Sequence, residues 1–561
     1  MKKPGKVQIA AGLAVAVMNF GGGAALAAPS LNQPGQEVEQ NLPRPQAAVE
    51  DNTAAKPQQA PAVEFTITNF RLEAPDLYLD KGELVKILQD GMGEKKTMKE
   101  LNSTLAELTR YCRQHGYPAA AAYVPAQESS DGMITIKVIP GRYGEIKIDN
   151  RSRLKTDVAN GFVKSLKSGD IIRTGKLETT LYSISDVSGT KAVGVLSPGK
   201  EFGTSDLTVR IEKGKGTSTI LYVENYGSED TGRYRYGLQH NIYDVSGNGD
   251  KVSVGTLLSN KNMHNYYANY ETIVGRGGTT LGFGYSRMDY RVGINSGDLK
   301  GVADTISVFG HRPIYHLTNS GLKIKYGYDY RKLKDDYMSF GDVNKHSHSV
   351  YVAAEGFERR KGLAVNYEAK LTTGTLGRDS DSALAVMQFR ENKTEGRYTK
   401  GEFNVTAVQR LGNRADVLVK ASGQLASHNL DGSERMYLGG ANGVRAYPQS
   451  EGSGDEGLMG TVETRFYTNV PGLVFSTYFD IGHVRYRNDG GLYQRQATSS
   501  LPAGVASSGM TLKGWGIGLS YTKPNDWFAR LDYARRIGGD PNLSEKAQAK
   551  GRTWFMLGKI W

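Results

Sequence analysis

The chain has 561 residues, 39% of them hydrophobic, and a mean hydropathy of -0.46, which excludes a bundle of membrane-spanning helices. Its single cysteine, Cys112, excludes intrachain disulfides and cysteine-based metal clusters. The 69 glycines and 32 tyrosines favour a large β protein with many tight turns. The formal net charge of +12 indicates something acidic as a partner, without choosing among lipid headgroups, nucleic acid and an anionic protein.

The first 63 residues are predicted to be a targeting signal followed by a linker. Three lysines precede an apolar stretch over residues 7–20, and the small residues of Ala25-Leu26-Ala27 close it, which is typical of a secretory signal peptide over residues 1–27. Residues 28–63 are rich in Pro, Gln, Ala and Asn and carry no apolar period, so we expect a flexible linker there. Within it, Pro34 to Leu42 is a candidate short helix that could plug a pore.

Residues 64–140 are predicted to form a small βααββ unit. The sequence places its first strand at Phe65-Thr66-Ile67 and one helix from about Asp80. A second helix begins at Thr97, where Glu100 completes a capping box. An apolar stripe on this second helix predicts its buried face, and therefore a structural Cys112, not a nucleophile. The stripe consists of Leu101, Leu105, Leu108 and Cys112.

Residues 141–215 repeat the same unit. The strand pattern Leu207–Ile211, closed by Gly214, mirrors Ile134–Val138, closed by Gly141, and the two glycines lie about 73 positions apart. Between these strands, apolar residues at helical spacing predict two more helices. The chain is therefore expected to carry two copies of one supersecondary unit.

From residue 216 to the end, segments of about ten residues alternate apolar and polar side chains. In one of them, Leu322 to Tyr330 places apolar and tyrosine residues on one face and Lys323, Lys325 and Asp329 on the other. A soluble β-sandwich gives the same alternation, but the connections here alternate between short and long, which is typical of a transmembrane barrel. The number of alternating segments predicts sixteen antiparallel strands over residues 216–561. Because this number is even, both ends of the barrel are expected on the periplasmic side.

Three segments, at His115–Pro118, Gly439–Pro448 and Phe479–Gly482, resemble motifs of the outer-membrane transporters of two-partner secretion (TpsB, hemolysin secretion/activation type), a branch of the Omp85 superfamily. His115–Pro118 running into Ala122–Pro125 is similar to the first periplasmic POTRA domain of that family. The segment Gly439–Pro448, in the predicted sixth outer loop, resembles the loop-six signature of the superfamily, and Phe479–Gly482 resembles its barrel-wall signature. The resemblance covers nearly all of the chain after the signal peptide.

The resemblance implies a site in which loop six meets the inner wall of the barrel. Alternation on the predicted thirteenth strand turns Asp480 and Gly482 into the lumen, and alternation on the twelfth does the same for Glu463. The resemblance implies that Arg445 pairs with Asp480, which would pin the loop against the wall. The candidate loop-six residues are Gly443, Val444, Arg445, Ala446 and Tyr447, and their candidate wall partners are Asp480, Gly482 and Glu463.

We therefore expect an outer-membrane pore that binds an unfolded partner exoprotein through periplasmic POTRA domains and exports it without nucleotide hydrolysis. The expected cargo is a β-helical adhesin or hemolysin, and the expected surroundings are outer-membrane lipid. A barrel-assembly factor of the Omp85 type and a passive porin are the alternatives. No enzyme motif, cofactor site, metal site or nucleic-acid role is predicted, since Gly514-x-Gly516-x-Gly518 lies in a strand pattern and not at a strand-to-helix turn.

Overall fold

The fold is described from a computed structural model. It describes residues 48–51, 64–89, 95–127, 132–187, 189–294, 297–337, 341–493, 505–539, 543 and 550–561. The predicted signal peptide and the candidate plug helix at Pro34 to Leu42 lie outside these residues. Within the predicted linker, one short strand is described, β1 (Ala48–Asp51).

The first small unit packs two helices on a three-stranded sheet. Its elements are β2 (Glu64–Thr66), β3 (Asn69–Glu73), α1 (Lys81–Gln89), β4 (Lys95–Thr97), α2 (Met98–Gln114), β5 (Ala121–Tyr123) and β6 (Met133–Ile139). The sheet order is β3-β6-β5, and β2 pairs separately with β4. The predicted capping box of Thr97 and Glu100 is confirmed, and the predicted stripe of α2 is buried, with Cys112 fully enclosed.

The strand predicted at Phe65-Thr66-Ile67 is confirmed over Phe65 and Thr66, because β2 spans Glu64–Thr66, but it pairs with β4 and lies outside the three-stranded sheet. The strand of the main sheet is β3, which pairs in parallel with β6, while Ile67 is buried in the connection before it. The prediction included Ile67 because a buried residue in a connection has the same local apolar signal as a strand residue.

The second small unit repeats the arrangement. It contains β7 (Arg142–Asn150), α3 (Thr156–Val163), α4 (Thr174–Ser185), β8 (Thr190–Pro198) and β9 (Thr204–Lys213). Its sheet has the order β1-β8-β9-β7, so the linker strand β1 covers the edge of β8 in parallel register. Leu181, Ile184 and Val209 are among the buried residues between its helices and sheet.

The remaining chain closes into a barrel of sixteen antiparallel strands, which confirms the predicted fold class and strand count. The strands are β10 (Thr217–Glu224), β11 (Arg235–Tyr243), β12 (Lys251–Ser259), β13 (Met263–Ile273), β14 (Thr280–Ile294), β15 (Gly297–His316), β16 (Ser320–Asp336), β17 (Asp342–Arg360), β18 (Leu363–Arg378), β19 (Gly396–Arg410), β20 (Ala415–Ala426), β23 (Glu456–Tyr467), β24 (Leu473–Arg485), β25 (Gly509–Thr522), β26 (Trp527–Arg536) and β27 (Gly551–Ile560). The barrel closes where β10 pairs with β27.

Side chains alternate across the barrel wall as predicted. On β24, every second residue from Val474 to Val484 is buried toward the lumen and the residues between them are exposed outward. The outward residues include Phe475, Phe479 and Ile481, which form a lipid-facing stripe. The twelfth and thirteenth strands of the barrel, β23 and β24, therefore place Glu463 and Asp480 in the lumen.

Some strands extend further outward than the sequence indicates. Residues 334–347, which are polar and lack an apolar period, are mostly strand, since β16 runs to Asp336 and β17 starts at Asp342. Polar residues there face the lumen and the outside in turn, so the apolar period disappears although the strand continues. The next outer loop holds a helix, α5 (Ala383–Asn392), whose Phe389 packs near Val343. None of the helices among the described residues combines the length and apolar character needed to cross a bilayer.

The second small unit lies against the turns at one end of the barrel. The imidazole of His316, at the end of β15, stacks on the ring of Tyr182 from α4 with the ring centroids 4.3 Å apart. Its Nδ1 lies 2.7 Å from a carboxylate oxygen of Asp186. The backbone N–H and hydroxyl of Thr318 also donate hydrogen bonds to Glu178, both at 3.0 Å. These contacts fix the second unit at the end of the barrel that carries the short turns.

Candidate functional site: loop six in the barrel lumen

The segment between β20 and β23, called loop six here, folds back into the barrel. It contains two short strands, β21 (Met436–Tyr437) and β22 (Ser453–Gly454), which pair with each other. Its tip turns tightly where the backbone N–H of Val444 donates to the carbonyl of Leu438 at 2.7 Å. The next residue, Arg445, is only 5% exposed. The tip of the loop is therefore enclosed by the lumen wall.

The guanidinium of Arg445 contacts three wall carboxylates. Its Nε and Nη2 donate to the two oxygens of Asp480, each at 2.9 Å, which is a bidentate pair. Its Nη1 donates to Glu463 at 2.9 Å and to Asp532 at 3.4 Å. Because Asp480 is fully buried and the other two carboxylates are nearly so, these ion pairs are far less screened than surface pairs.

Neutral groups complete the environment of this arginine. The guanidinium lies over the ring of Tyr478, with its carbon 3.1 Å from the ring centroid. The backbone carbonyl of Arg445 accepts a hydrogen bond from the indole of Trp554 at 2.7 Å. Thr461 donates its hydroxyl to Asp480 at 2.8 Å. The arginine is thus held by both its side chain and its backbone, which fixes the rotamer as well as the charge.

A second arginine, Arg530 on β26, shares two of the carboxylates. It donates to both oxygens of Asp532, at 2.5 and 3.1 Å, and to Glu463 at 3.4 Å. Glu463 and Asp532 therefore keep a cation when loop six leaves, whereas Asp480 forms its ion pair with Arg445 of the loop. Among the described wall residues, Asp480 is the carboxylate whose neutralisation depends most on the loop.

Apolar packing also holds the tip. Leu438, Val444 and Tyr447 are almost completely buried. They form one cluster with wall residues that face inward, including Leu512 on β25 and Ala534 on β26. Burial of each such side chain contributes about 1.5–3 kcal/mol relative to exposure. Loop six is consequently held by a hydrophobic contact and an ion pair together.

The glycines on β25 make room for this packing. A Cβ on Gly514 would lie 2.5 Å from the methyl group of Ala446, and a Cβ on Gly516 would lie 2.5 Å from the ring of Tyr478. Neither distance is compatible with a side chain at these positions. This row of glycines was predicted to be small residues in a barrel wall. The structure gives the reason for their small size, since the wall must accommodate Ala446 and the ring of Tyr478 beneath Arg445.

The structure brings together the residues predicted for the site. Arg445 meets Asp480 and Glu463 directly, while Val444, Ala446 and Tyr447 pack around it. Gly443 and Gly482 lie beside Leu438. Among the described residues, no group of three or more His, Cys, Asp or Glu side chains is arranged to hold a metal ion.

Sequence reasoning did not identify Asp532, Arg530 or Trp554 as parts of the site. The alternation of β26 places Arg530 and Asp532 on the lumen side, so the pattern assigns their face. It cannot show that β23, β24 and β26 bring Glu463, Asp480 and Asp532 around one arginine, because that depends on the curvature of the closed wall. No role was predicted from the sequence for Asp431 and Glu434 either. They lie in residues 427–437, the part of loop six that follows β20, called the descending arm here.

Two family models match the chain. The model described as haemolysin secretion/activation protein ShlB/FhaC/HecB matches residues 203–519, which is more than half of the chain. The model described as POTRA domain, ShlB-type, matches residues 65–141.

Curated relatives match over most of their length. The heme/hemopexin transporter protein HuxB of Haemophilus influenzae is 26% identical over 548 residues, covering 93% of this chain and 94% of the relative. The outer membrane transporter CdiB of Dickeya dadantii is 20% identical over 485 residues, covering 83% and 81%.

A solved structure has the same fold. CdiB from Escherichia coli aligns with a TM-score of 0.65 at 17% sequence identity, covering 91% of this chain and 93% of that one. At this identity the likeness supports the fold alone, and the family model carries the assignment. The chain belongs to the haemolysin secretion/activation protein family, the outer-membrane transporters of two-partner secretion within the Omp85 superfamily.

Proposed function

We propose that this transporter exports one large β-helical exoprotein, of the adhesin or hemolysin kind, and does so without nucleotide. The observation that carries the proposal is the docking of loop six, with Arg445 held inside the lumen by the wall carboxylates. A loop held by separable ion pairs can leave the lumen and return, which suits a pore that must stay closed until its cargo arrives. Family members are transporters and not enzymes, which agrees with a pore that performs no chemistry of its own.

We further propose that residues 64–140 and 141–215 act as two periplasmic POTRA domains that receive the unfolded partner. An extended partner chain that adds to a sheet edge would form main-chain hydrogen bonds, which every residue except proline can donate, so its amino-acid sequence would be little restricted. β5 is an edge strand of the first sheet and β7 is an edge strand of the second. At the other edge of the second sheet, an incoming strand would have to displace the four residues of β1 from β8.

Energy for export would come from folding of the partner outside the cell. The proposed path runs from the two small units into the barrel, because the contacts of Tyr182 and Asp186 with His316 hold the second unit at its short-turn end. The exported chain enters as loop six and the predicted plug helix leave. Folding of the emerging segment then prevents backward movement, so that each step outward becomes irreversible.

Reconstitution tests the absence of a nucleotide requirement. The purified protein is inserted into liposomes, the unfolded cognate exoprotein is added on the side of the small units, and protection from external protease is measured without nucleotide. We expect protected, folded cargo with the complete chain and none with a variant that lacks residues 64–215. Export that requires added ATP, or that persists without residues 64–215, would contradict the proposal.

A further inference from the structure

The descending arm of loop six makes a second set of buried ion pairs, separate from the one around Arg445. A carboxylate oxygen of Asp431 lies 2.7 Å from Nζ of Lys345 on β17. Glu434 lies 2.6 Å from a guanidinium nitrogen of Arg331 on β16 and 3.1 Å from Nζ of Lys400 on β19. All five side chains are less than a fifth exposed. This set is called the outer latch here.

The outer latch has the opposite polarity to the pairs at the tip. At the tip, the loop supplies the cation and β23, β24 and β26 supply the carboxylates. At the outer latch, the loop supplies two carboxylates and β16, β17 and β19 supply the cations. The tip and the descending arm of the loop are therefore held to different sectors of the wall. Neither set of ion pairs can substitute for the other, because each would meet charges of its own sign.

Hydrogen bonds to the backbone of the descending arm fix its position, in addition to the attraction between opposite charges. The carbonyl of Glu434 accepts hydrogen bonds from Nζ of Lys400 at 3.1 Å and from the side-chain amide of Gln424 at 3.0 Å. Asp431 caps the short turn at residues 432–434 by accepting from the backbone N–H and hydroxyl of Ser433. The carboxylates are thus presented by a defined turn, which fixes where the arm lies before the tip begins.

The wall cations also have partners of their own. Lys400 lies 3.4 Å from Glu402, and Arg331 lies 3.9 Å from Asp329. Lys345 interacts with Asp335. When the arm leaves, these three cations keep a carboxylate nearby, and the released Asp431 and Glu434 enter water. The outer latch can therefore open at a lower cost than the tip, where Asp480 would lose its guanidinium partner.

We propose that Asp431 and Glu434 are positioning residues of the gate, which hold the arm of loop six on the basic wall so that Arg445 is delivered to Asp480. The inference rests on the proposed role of loop six as the gate. Opening then requires two independent releases. Loss of the tip pairs frees the tip alone, whereas loss of the outer latch frees the arm.

Cysteine labelling of the loop separates the two releases. Two reporters are made in a C112S background, one at Asn442 near the tip and one at Met436 on the arm, and each is labelled in liposomes with a membrane-impermeant maleimide. We expect R445A to speed labelling at position 442 and to leave position 436 protected. We expect D431N/E434Q to speed labelling at position 436 by about tenfold or more, since neutral side chains no longer hold the arm on the cations.

A matched control removes the same charge elsewhere. D381N/E391Q neutralises two exposed carboxylates on the outer loop that carries α5, and it is expected to change neither reporter. Folding of every variant is first checked by its heat-modifiable migration on gels. K345M, which removes a cation from the wall side, provides a second route, and we expect it to speed labelling at position 436 as well.

Two results would overturn the proposal. Labelling at position 436 that is no faster in D431N/E434Q and K345M than in the control would show that the latch does not hold the arm. Equal labelling at position 436 in R445A and in D431N/E434Q would show that the tip pairs alone hold the whole loop. Because labelling is measured without cargo, either result is independent of whether the proposed export mechanism is correct.

Discussion

Replacing Arg445 with alanine is the most direct test of the lumen site. The change removes four side-chain hydrogen bonds to three buried carboxylates, three of them at 2.9 Å and one at 3.4 Å. Asp480 would keep the hydroxyl of Thr461 at 2.8 Å and, while the tip stays docked, the backbone N–H of residue 445 at 3.2 Å, and the face of Tyr478 would lose its cation. We expect the wall to remain intact, since the strand pairing does not depend on the loop.

The expected magnitude follows from burial. Removing one partner of a buried pair costs about 3–5 kcal/mol. Glu463 and Asp532 keep Arg530, so the lower end applies, and about 3 kcal/mol corresponds to about a 150-fold change in the equilibrium between the docked and undocked tip. In the proposed mechanism, export requires the tip to return to its docked position as well as to leave it, so we expect the barrel to insert normally while export of the cognate exoprotein is abolished. The measurement is the amount of exoprotein in the medium relative to the amount of transporter in outer membranes.

Arg465 supplies a matched control. It forms a bidentate pair with Asp416, at 2.7 and 2.9 Å, which is as buried as that of Arg445 but joins β23 to β20 within the wall. R465A should lower the stability of the barrel and leave export per inserted barrel near normal. Normal export by R445A would refute the role assigned to the tip. Equal loss of export per inserted barrel in both variants would show that any buried charge defect is sufficient.

Two further predictions concern close packing and burial. G514A should displace the loop tip and impair export, because the added methyl group would lie 2.5 Å from that of Ala446. The control G401A should export normally, because no atom lies within 4 Å of its new methyl group. Equal export by both variants would contradict the packing argument. Burial raises the pKa of the Cys112 thiol to about 11, so alkylation at pH 8 should be slow in the native protein and fast in denaturant, and rapid alkylation of the native protein would exclude a buried thiol. Because a thiol in an unfolded chain has a pKa of about 8.5, the contribution of this group to the free energy of unfolding is complete below that pH and is lost as the pH rises toward 11.

Local signals in the sequence determined most of the architecture. The alternation of apolar and polar residues, with its strictly alternating connection lengths, predicts sixteen strands and the face of each side chain, because lipid and water impose opposite demands on the two faces. The capping box at Thr97 and the stripe ending at Cys112 fix the second helix of the first unit, because both depend on residues three or four positions apart. The first strand of that unit was predicted one residue too far, to Ile67, because this buried connection residue has the same local pattern as a strand residue.

Only the tertiary structure decided which charges meet. The resemblance of Gly439–Pro448 and Phe479–Gly482 to known signatures supplied the pairing of Arg445 with Asp480, but not the contributions of Asp532, Arg530 and Trp554. Nor did the sequence connect Glu434 with Arg331, which is 103 positions away. Alternation assigns a side chain to a face, but the curvature of a closed barrel determines which side chains on that face converge, and the path of a long loop determines which of them it contacts.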